Sequence, residues 1–129
     1  MSKLIASLFS GCGGLDLGFT GGFTFQGREF ERLNTHIVFA NDFDQDAANC
    51  YNANTLLTAD GANCLLQDIR TVDVDTIPDF QILLAGFPCQ PFSNAGNRKG
   101  VNDVNGRGTL FEECERIIRA KMKYRIRLI

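Results

Sequence analysis

The chain has 129 residues, 44% of them hydrophobic and 22% charged, with a net charge of −2. That composition fits one soluble domain able to bury its own core, and it excludes disorder as the main state. The acidic pI of about 5.3 excludes a simple DNA-coating protein, and no apolar run reaches the roughly 20 residues of a membrane-spanning helix.

In chain order, residues 3–9 form an apolar run suited to a buried strand, ending in the glycine turn Ser10-Gly11-Cys12-Gly13-Gly14. Residues 15–19 start a short helix, and 21–33 read as a long loop. Residues 35–40, T-H-I-V-F-A, make a second strand, followed by Asn41-Asp42 and a helical stretch over 43–51. After a loop over 52–64, Leu65-Leu66 forms a short third strand leading out through Asp68-Ile69-Arg70. Residues 81–85, Q-I-L-L-A, give a fourth buried strand. A polar, glycine- and asparagine-rich stretch over 86–108 precedes the clearest helix, 109–122. Its Leu110, Phe111, Cys114, Ile117 and Ile118 share one face. Alternating strands and helices predict an α/β fold with a mainly parallel sheet, which binds ligands beyond the C-terminal ends of its strands.

The first 110 residues hold 7 Lys and Arg against 12 Asp and Glu, and residues 111–129 hold 6 against 3, so a polyanion would meet only local basic spots. Five cysteines, at 12, 50, 64, 89 and 114, form no C-x-x-C pair, and His36 is the only histidine. Neither a metal site nor a disulfide framework is expected, and most of the thiols should be small buried hydrophobes. The short N-terminal run, followed by glycines and Asp16, does not resemble a signal peptide, so a cytoplasmic protein is expected.

The chemistry gathers at the strand ends. The glycine turn is either a tight strand-to-helix connection or a place where backbone meets ligand. Asp42 suits ribose hydroxyls and Phe43 an adenine face, although Asp42 would serve equally as a helix N-cap. No Walker lysine is present. Asp16 beside the turn would repel a pyrophosphate but suit a cationic sulfonium. In Gly86-Phe87-Pro88-Cys89-Gln90-Pro91, the prolines restrict the backbone around one thiol and favour a nucleophile over a buried structural cysteine.

These segments resemble the N-terminal part of the DNA cytosine-5 methyltransferases. The matches are L-F-S-G-C-G-G-L-D-L-G-F (8–19), A-N-D-F-D (40–44), D-I-R (68–70), L-L-A-G-F-P-C-Q-P-F-S (83–93) and R-G-T-L-F (107–111), in the family's order. The resemblance implies a Rossmann-like fold, with an incomplete parallel sheet and flanking helices, that binds S-adenosylmethionine. It assigns Phe9, Gly11, Gly13, Gly14 and Leu15 to the cofactor's methionine and adenine sides. Asp42 would hold the ribose, Phe43 the adenine face, and Asp68 with Ile69 the adenine edge; Leu110 would complete the pocket. Cys89 would be the nucleophile toward carbon 6 of a cytosine flipped out of double-stranded DNA, with Pro88 orienting the base. Gln90, Ser93 and Arg98 would contact DNA.

The family's E-N-V segment, target-recognition region and closing helix find no match here. Residues 1–122 therefore read as the front of the catalytic domain and 123–129 as a short basic tail, truncated or out of frame. The fragment alone is expected to be inactive, with a complementing C-terminal chain as partner. An unreactive cofactor-binding remnant is the alternative. The strands that would cover the apolar helix face over 110–118 are also expected to be missing, which predicts an exposed face and marginal stability. A cysteine hydrolase would need His36 as base, and His36 falls at the opposite end of its strand from Cys89.

Overall fold

The computed structural model describes residues 1–59, 61–87, 109–121 and 127–129. Five parallel strands form one sheet in the order β5-β4-β1-β6-β7. They are β1 (Lys3–Leu8), β4 (Thr35–Asp42), β5 (Cys64–Leu66), β6 (Ile82–Ala85) and β7 (Arg127–Leu128). Ile5, Ala6 and Leu8 of β1, at the sheet's centre, are at most 1% exposed, as expected of a parallel strand covered on both faces.

One face packs α1 (Gly14–Thr20), α2 (Gln45–Ala53) and α3 (Thr55–Thr58) over Ile5, Ile37, Ala40 and Leu84. The other packs two 3₁₀ turns, over Ile69–Thr71 and Val74–Thr76, and α4 (Leu110–Ala120) over Ala6, Leu8, Phe39 and Leu83. The result is the parallel α/β sheet expected from the strand–helix alternation, in the Rossmann-like three-layer form that the resemblance implied.

Several expectations are corrected. The stretch 21–33 holds the antiparallel hairpin β2 (Phe23–Phe25) and β3 (Arg28–Phe30), joined by Gln26 and Gly27. Both of these residues have positive φ, 49° and 75°, as tight two-residue hairpin turns require. Most of the apolar face of α4 is covered: Cys114 and Ile117 are 1% and 0% exposed, and Leu110 and Ile118 pack against the same core, while Phe111 remains 46% exposed. Arg116 fastens this helix by donating to the carbonyls of Ile69 (2.9 Å) and Val72 (3.3 Å). Within 123–129, expected as a tail, β7 pairs with β6; Ile129 N donates to Leu83 O, and Ala85 N to Ile129 O. Only Cys64 and Cys114 of the described cysteines are buried; Cys12 and Cys50 are exposed.

A bulge decides which way the site faces. Ile5 pairs with Ile37 but Ala6 pairs with Phe39, so Val38 is an extra residue in β4. Because strand side chains alternate, one inserted residue reverses every later one. Ala40 thereby joins Ile37 on the α1/α2 face, and Asp42, two residues on, takes that face too.

Candidate functional site

The chain order places β1 beside both β4 and β6, so the sheet's switch point lies between β1 and β6. Open α/β sheets bind ligands at the carboxyl ends of the strands flanking such a point. Four segments line this carboxyl edge of the sheet: the turn 9–14 after β1, Asp42 and Phe43 at the end of β4, Gln67–Ile69 after β5, and Gly86-Phe87 after β6.

The turn is left-handed at Phe9, Gly11 and Gly13, with φ of 53°, 56° and 88°. Such geometry is costly for a side-chain-bearing residue, so Phe9 is a strained position. Ser10 N donates to Asn41 O and Gly13 N to Ser10 O, both at 3.0 Å. A side chain at Gly13 would overlap Leu57 and lie 3.0 Å from Tyr51 Cδ2, whereas Gly11 and Gly14 face open space. The turn therefore packs on α2 and α3 at one glycine and leaves two others clear.

Asp42 holds the turn to β4. Its Oδ2 accepts from Gly11 N at 2.8 Å, and its Oδ1 from Asp44 N at 3.0 Å. The N-cap of α2 is Asp44, which accepts from Ala47 N. Asp42 is the last residue of β4, so capping does not account for it. Phe43 beside it is 69% exposed, and Leu15 is exposed at the start of α1. Asn41 is buried and donates to Leu65 O and Gln67 O at 2.9 and 2.8 Å, fixing the exit of β5 to β4. Beyond that exit, Asp68 caps the first 3₁₀ turn and pairs with Arg70 at 2.6 Å; this guanidinium holds the Asp68 carboxyl below its usual range. Ile69 points its side chain into the core.

On the other side, the Phe9 and Phe87 rings meet edge to face at 6.3 Å, and Phe87 meets Phe111 at 6.0 Å. An aromatic chain thus joins the glycine turn, the exit of β6 and the first turn of α4, where Leu110 packs against the core. Pro88, Cys89, Gln90, Ser93 and Arg98 lie outside the described residues.

Asp16 is placed differently from the sequence expectation. It is fully buried, its carboxylate accepting from Ser7 Oγ and Tyr51 Oη, both at 2.7 Å. It cannot meet a sulfonium, and its burial raises its pKa against the opposing effect of those two bonds. Sequence reasoning also missed Asn41 and Tyr51, whose roles depend on partners 24 and 35 residues away. His36 pairs with Leu4 at the N-terminal end of β4, away from the site. The basic end is partly neutralised within the fold: Arg116 pairs with Glu113, Arg119 with Glu115 and Lys121 with Asp79.

The model of the C-5 cytosine-specific DNA methylase family matches residues 4–123. The chain belongs to this family. Among curated relatives, the type II methyltransferase M.Bsp6I of Bacillus sp. (strain RFL6) is 44% identical over 117 residues, 91% of this chain and 32% of the relative. M.NlaX of Neisseria lactamica is 44% identical over 121 residues, 94% of this chain and 33% of the relative. M.SsoII of Shigella sonnei is 40% identical over 114 residues, 88% and 25% respectively. The chain thus spans a quarter to a third of the length of these methyltransferases. Its five-stranded parallel sheet with flanking helices fits that family. Among the described residues there is no cluster of metal-ligating side chains, and no helix is long and apolar enough to cross a membrane.

Proposed function

We propose that this chain supplies the cofactor pocket and the nucleophile of an enzyme that methylates carbon 5 of cytosine in double-stranded DNA. The observation that carries the reading is the Gly11–Asp42 bond between the carboxyl ends of β1 and β4, beside the switch point, with open space at Gly11 and Gly14 and an exposed Phe43 alongside. These residues fit S-adenosylmethionine. Phe9, Gly11, Gly13, Gly14 and Leu15 would border its methionine part and the nearer side of its adenine. Asp42, which keeps acceptor capacity beyond its two amide bonds, would take the ribose hydroxyls. Phe43 would lie on the adenine, the backbone at Asp68 and Ile69 along its edge, and Leu110 at the far wall. When bound, the cofactor supplies an electrophilic methyl group on a sulfonium.

Cys89 is the nucleophile in this reading. Its thiolate adds to carbon 6 of the flipped cytosine, which makes carbon 5 electron-rich. Release of the thiolate, with loss of the carbon 5 proton, restores the ring. Pro88 orients the base, and Gln90, Ser93 and Arg98 contact DNA. The assisting glutamate and the DNA-reading region that the resemblance implies find no match among these residues. Turnover in this reading needs the remaining length of such a methyltransferase beside these residues, on the same chain or on a complementing C-terminal one.

Calorimetric titration of the 129-residue chain with S-adenosylmethionine tests the pocket, and absence of binding refutes it. Cys89→Ser should keep the cofactor affinity and, with the remaining length of the enzyme present, abolish covalent trapping of DNA containing 5-fluorocytosine. A trapped adduct with the serine variant would show that another residue is the nucleophile.

A further inference from the structure

A continuous line of buried hydrogen bonds runs beneath the turn 9–14. Tyr51 Oη and Ser7 Oγ each donate to Asp16, both at 2.7 Å. Ser10 Oγ donates toward Ser7, with Ser7 Oγ at 2.9 Å and Ser7 O at 3.1 Å. Asn41 N donates to Ser10 Oγ at 3.2 Å, and Asn41 Nδ2 continues the line to Leu65 O and Gln67 O. Asp16, Tyr51, Ser7 and Asn41 are each at most 1% exposed. The line joins α2, α1, β1, β4 and the exit of β5, and it touches the turn at two points. Ser10 belongs to the turn itself, and the Tyr51 ring, together with Leu57, borders the position a side chain at Gly13 would take, its Cδ2 lying 3.0 Å from it.

We infer that Asp16 is a positioning residue of the cofactor site, acting through Tyr51 on Gly13 and through Ser7 on Ser10. The inference rests on the cofactor reading above. A carboxylate is acceptor-only, whereas each hydroxyl beside it can donate or accept. Asp16 therefore sets the direction of the line. With the Ser7 proton committed to Asp16, Ser7 Oγ is left to accept from Ser10, and Ser10 Oγ is left to accept from Asn41 N. With Asp16 as acceptor, the Tyr51 and Ser7 protons are both fixed, and only the Ser10 proton keeps a choice, between Ser7 Oγ and Ser7 O. Asparagine has the same shape, but one arm is a donor, so one hydroxyl must turn round. If Tyr51 turns, its proton faces the apolar core. If Ser7 turns, its proton faces Ser10. Turning Tyr51 removes its hold on α1, and turning Ser7 leaves the Ser10 proton only Ser7 O, at 3.1 Å, so each change shifts a support of the turn while the hydrophobic packing stays intact.

The test compares the 129-residue chain with its Asp16→Asn and Tyr51→Phe variants, at a temperature where circular dichroism shows all three folded. Amide hydrogen exchange at Ser10, Gly11 and Gly13 should rise about tenfold in each variant relative to amides of β1 and β4. Affinity for S-adenosylmethionine should fall about tenfold. Unchanged exchange at the turn overturns the inference. So does a rise shared equally by all strands, because Asp16 would then support only the global fold. Faster exchange at the turn with no loss of affinity shows that the turn is held but is not a determinant of the site, which also overturns it. If the parent chain binds no S-adenosylmethionine yet the variants loosen the turn, the cofactor reading fails while the positioning of the turn stands.

Discussion

Three glycines in one turn should respond to alanine in three different ways. Gly13 is left-handed at φ 88°, and a methyl group there overlaps Leu57 and crowds Tyr51. Leu57 and Tyr51 are 2% and 0% exposed, so neither can swing into solvent. The left-handed backbone costs an alanine about 1–2 kcal/mol, and overpacking a tight core adds about 1–3 kcal/mol. Gly13→Ala should therefore lose about 2–5 kcal/mol of stability, the sum of those two costs. Gly11 carries the backbone cost without the clash, since nothing lies within 4 Å of its methyl position; about 1–2 kcal/mol is expected. Gly14 begins α1, has no positive φ and also faces open space. There alanine restricts the unfolded chain without strain and should be neutral or stabilising by up to about 1 kcal/mol. Urea unfolding of the parent and three variants, compared at a common m-value, reads these differences. A Gly13→Ala variant as mild as Gly11→Ala, or a Gly14→Ala variant as damaging as either, would refute the described packing of the turn.

Alkylation under native conditions should label Cys12 and Cys50, both exposed, and spare Cys64 and Cys114 until denaturant is added. Burial pushes each of the latter two thiols up to about 11; fast native labelling of Cys114, read by peptide mass mapping, would contradict the docking of α4. The pH dependence of Asp16 is distinctive. Burial raises its folded pKa, so between the unfolded and folded values the native state holds a proton that the unfolded state has lost. Stability from this group is therefore largest below the unfolded value and falls as pH rises through the folded one. The parent should gain stability relative to Asp16→Asn on acidification through that window, measured by urea unfolding at a series of pH values; a relative loss would mean that its two hydrogen bonds outweigh burial.

The parts of the fold visible in the sequence were those written as uninterrupted apolar runs. β1, β4 and β6 are covered on both faces, so their residues needed no alternation to be recognised. α4 was visible for a different reason, the helical spacing of Leu110, Cys114 and Ile117 along one apolar face. The hairpin escaped because Gln26-Gly27 lacks the Asn-Gly or Asp-Gly signature of its turn. β7 is two residues long and exists only through its pairing with β6. In the site, the glycine turn and Asp42 stood out locally, but the sequence Asp42-Phe43-Asp44 could not say which aspartate capped α2. Only the bulge at Val38 and the bond to Gly11 separate the two. Asp16 looked like a site carboxylate because it follows the glycines, and a seven-residue helix is too short for periodicity to reveal its buried side.

The bonds that frame the site join residues far apart in the chain: Gly11 to Asp42 across 31 positions, Asn41 to Gln67 across 26, and Tyr51 to Asp16 across 35. No short stretch of an unfolded chain contains a version of this pocket. A ligand that occupies it must select the folded state, and free ligand at a hundred times its Kd then adds about 2.7 kcal/mol to the free energy of unfolding. For a small domain that is a substantial part of the total. The supply of ligand in the surroundings would thus govern how long the polypeptide survives proteolysis, independently of any reaction it takes part in.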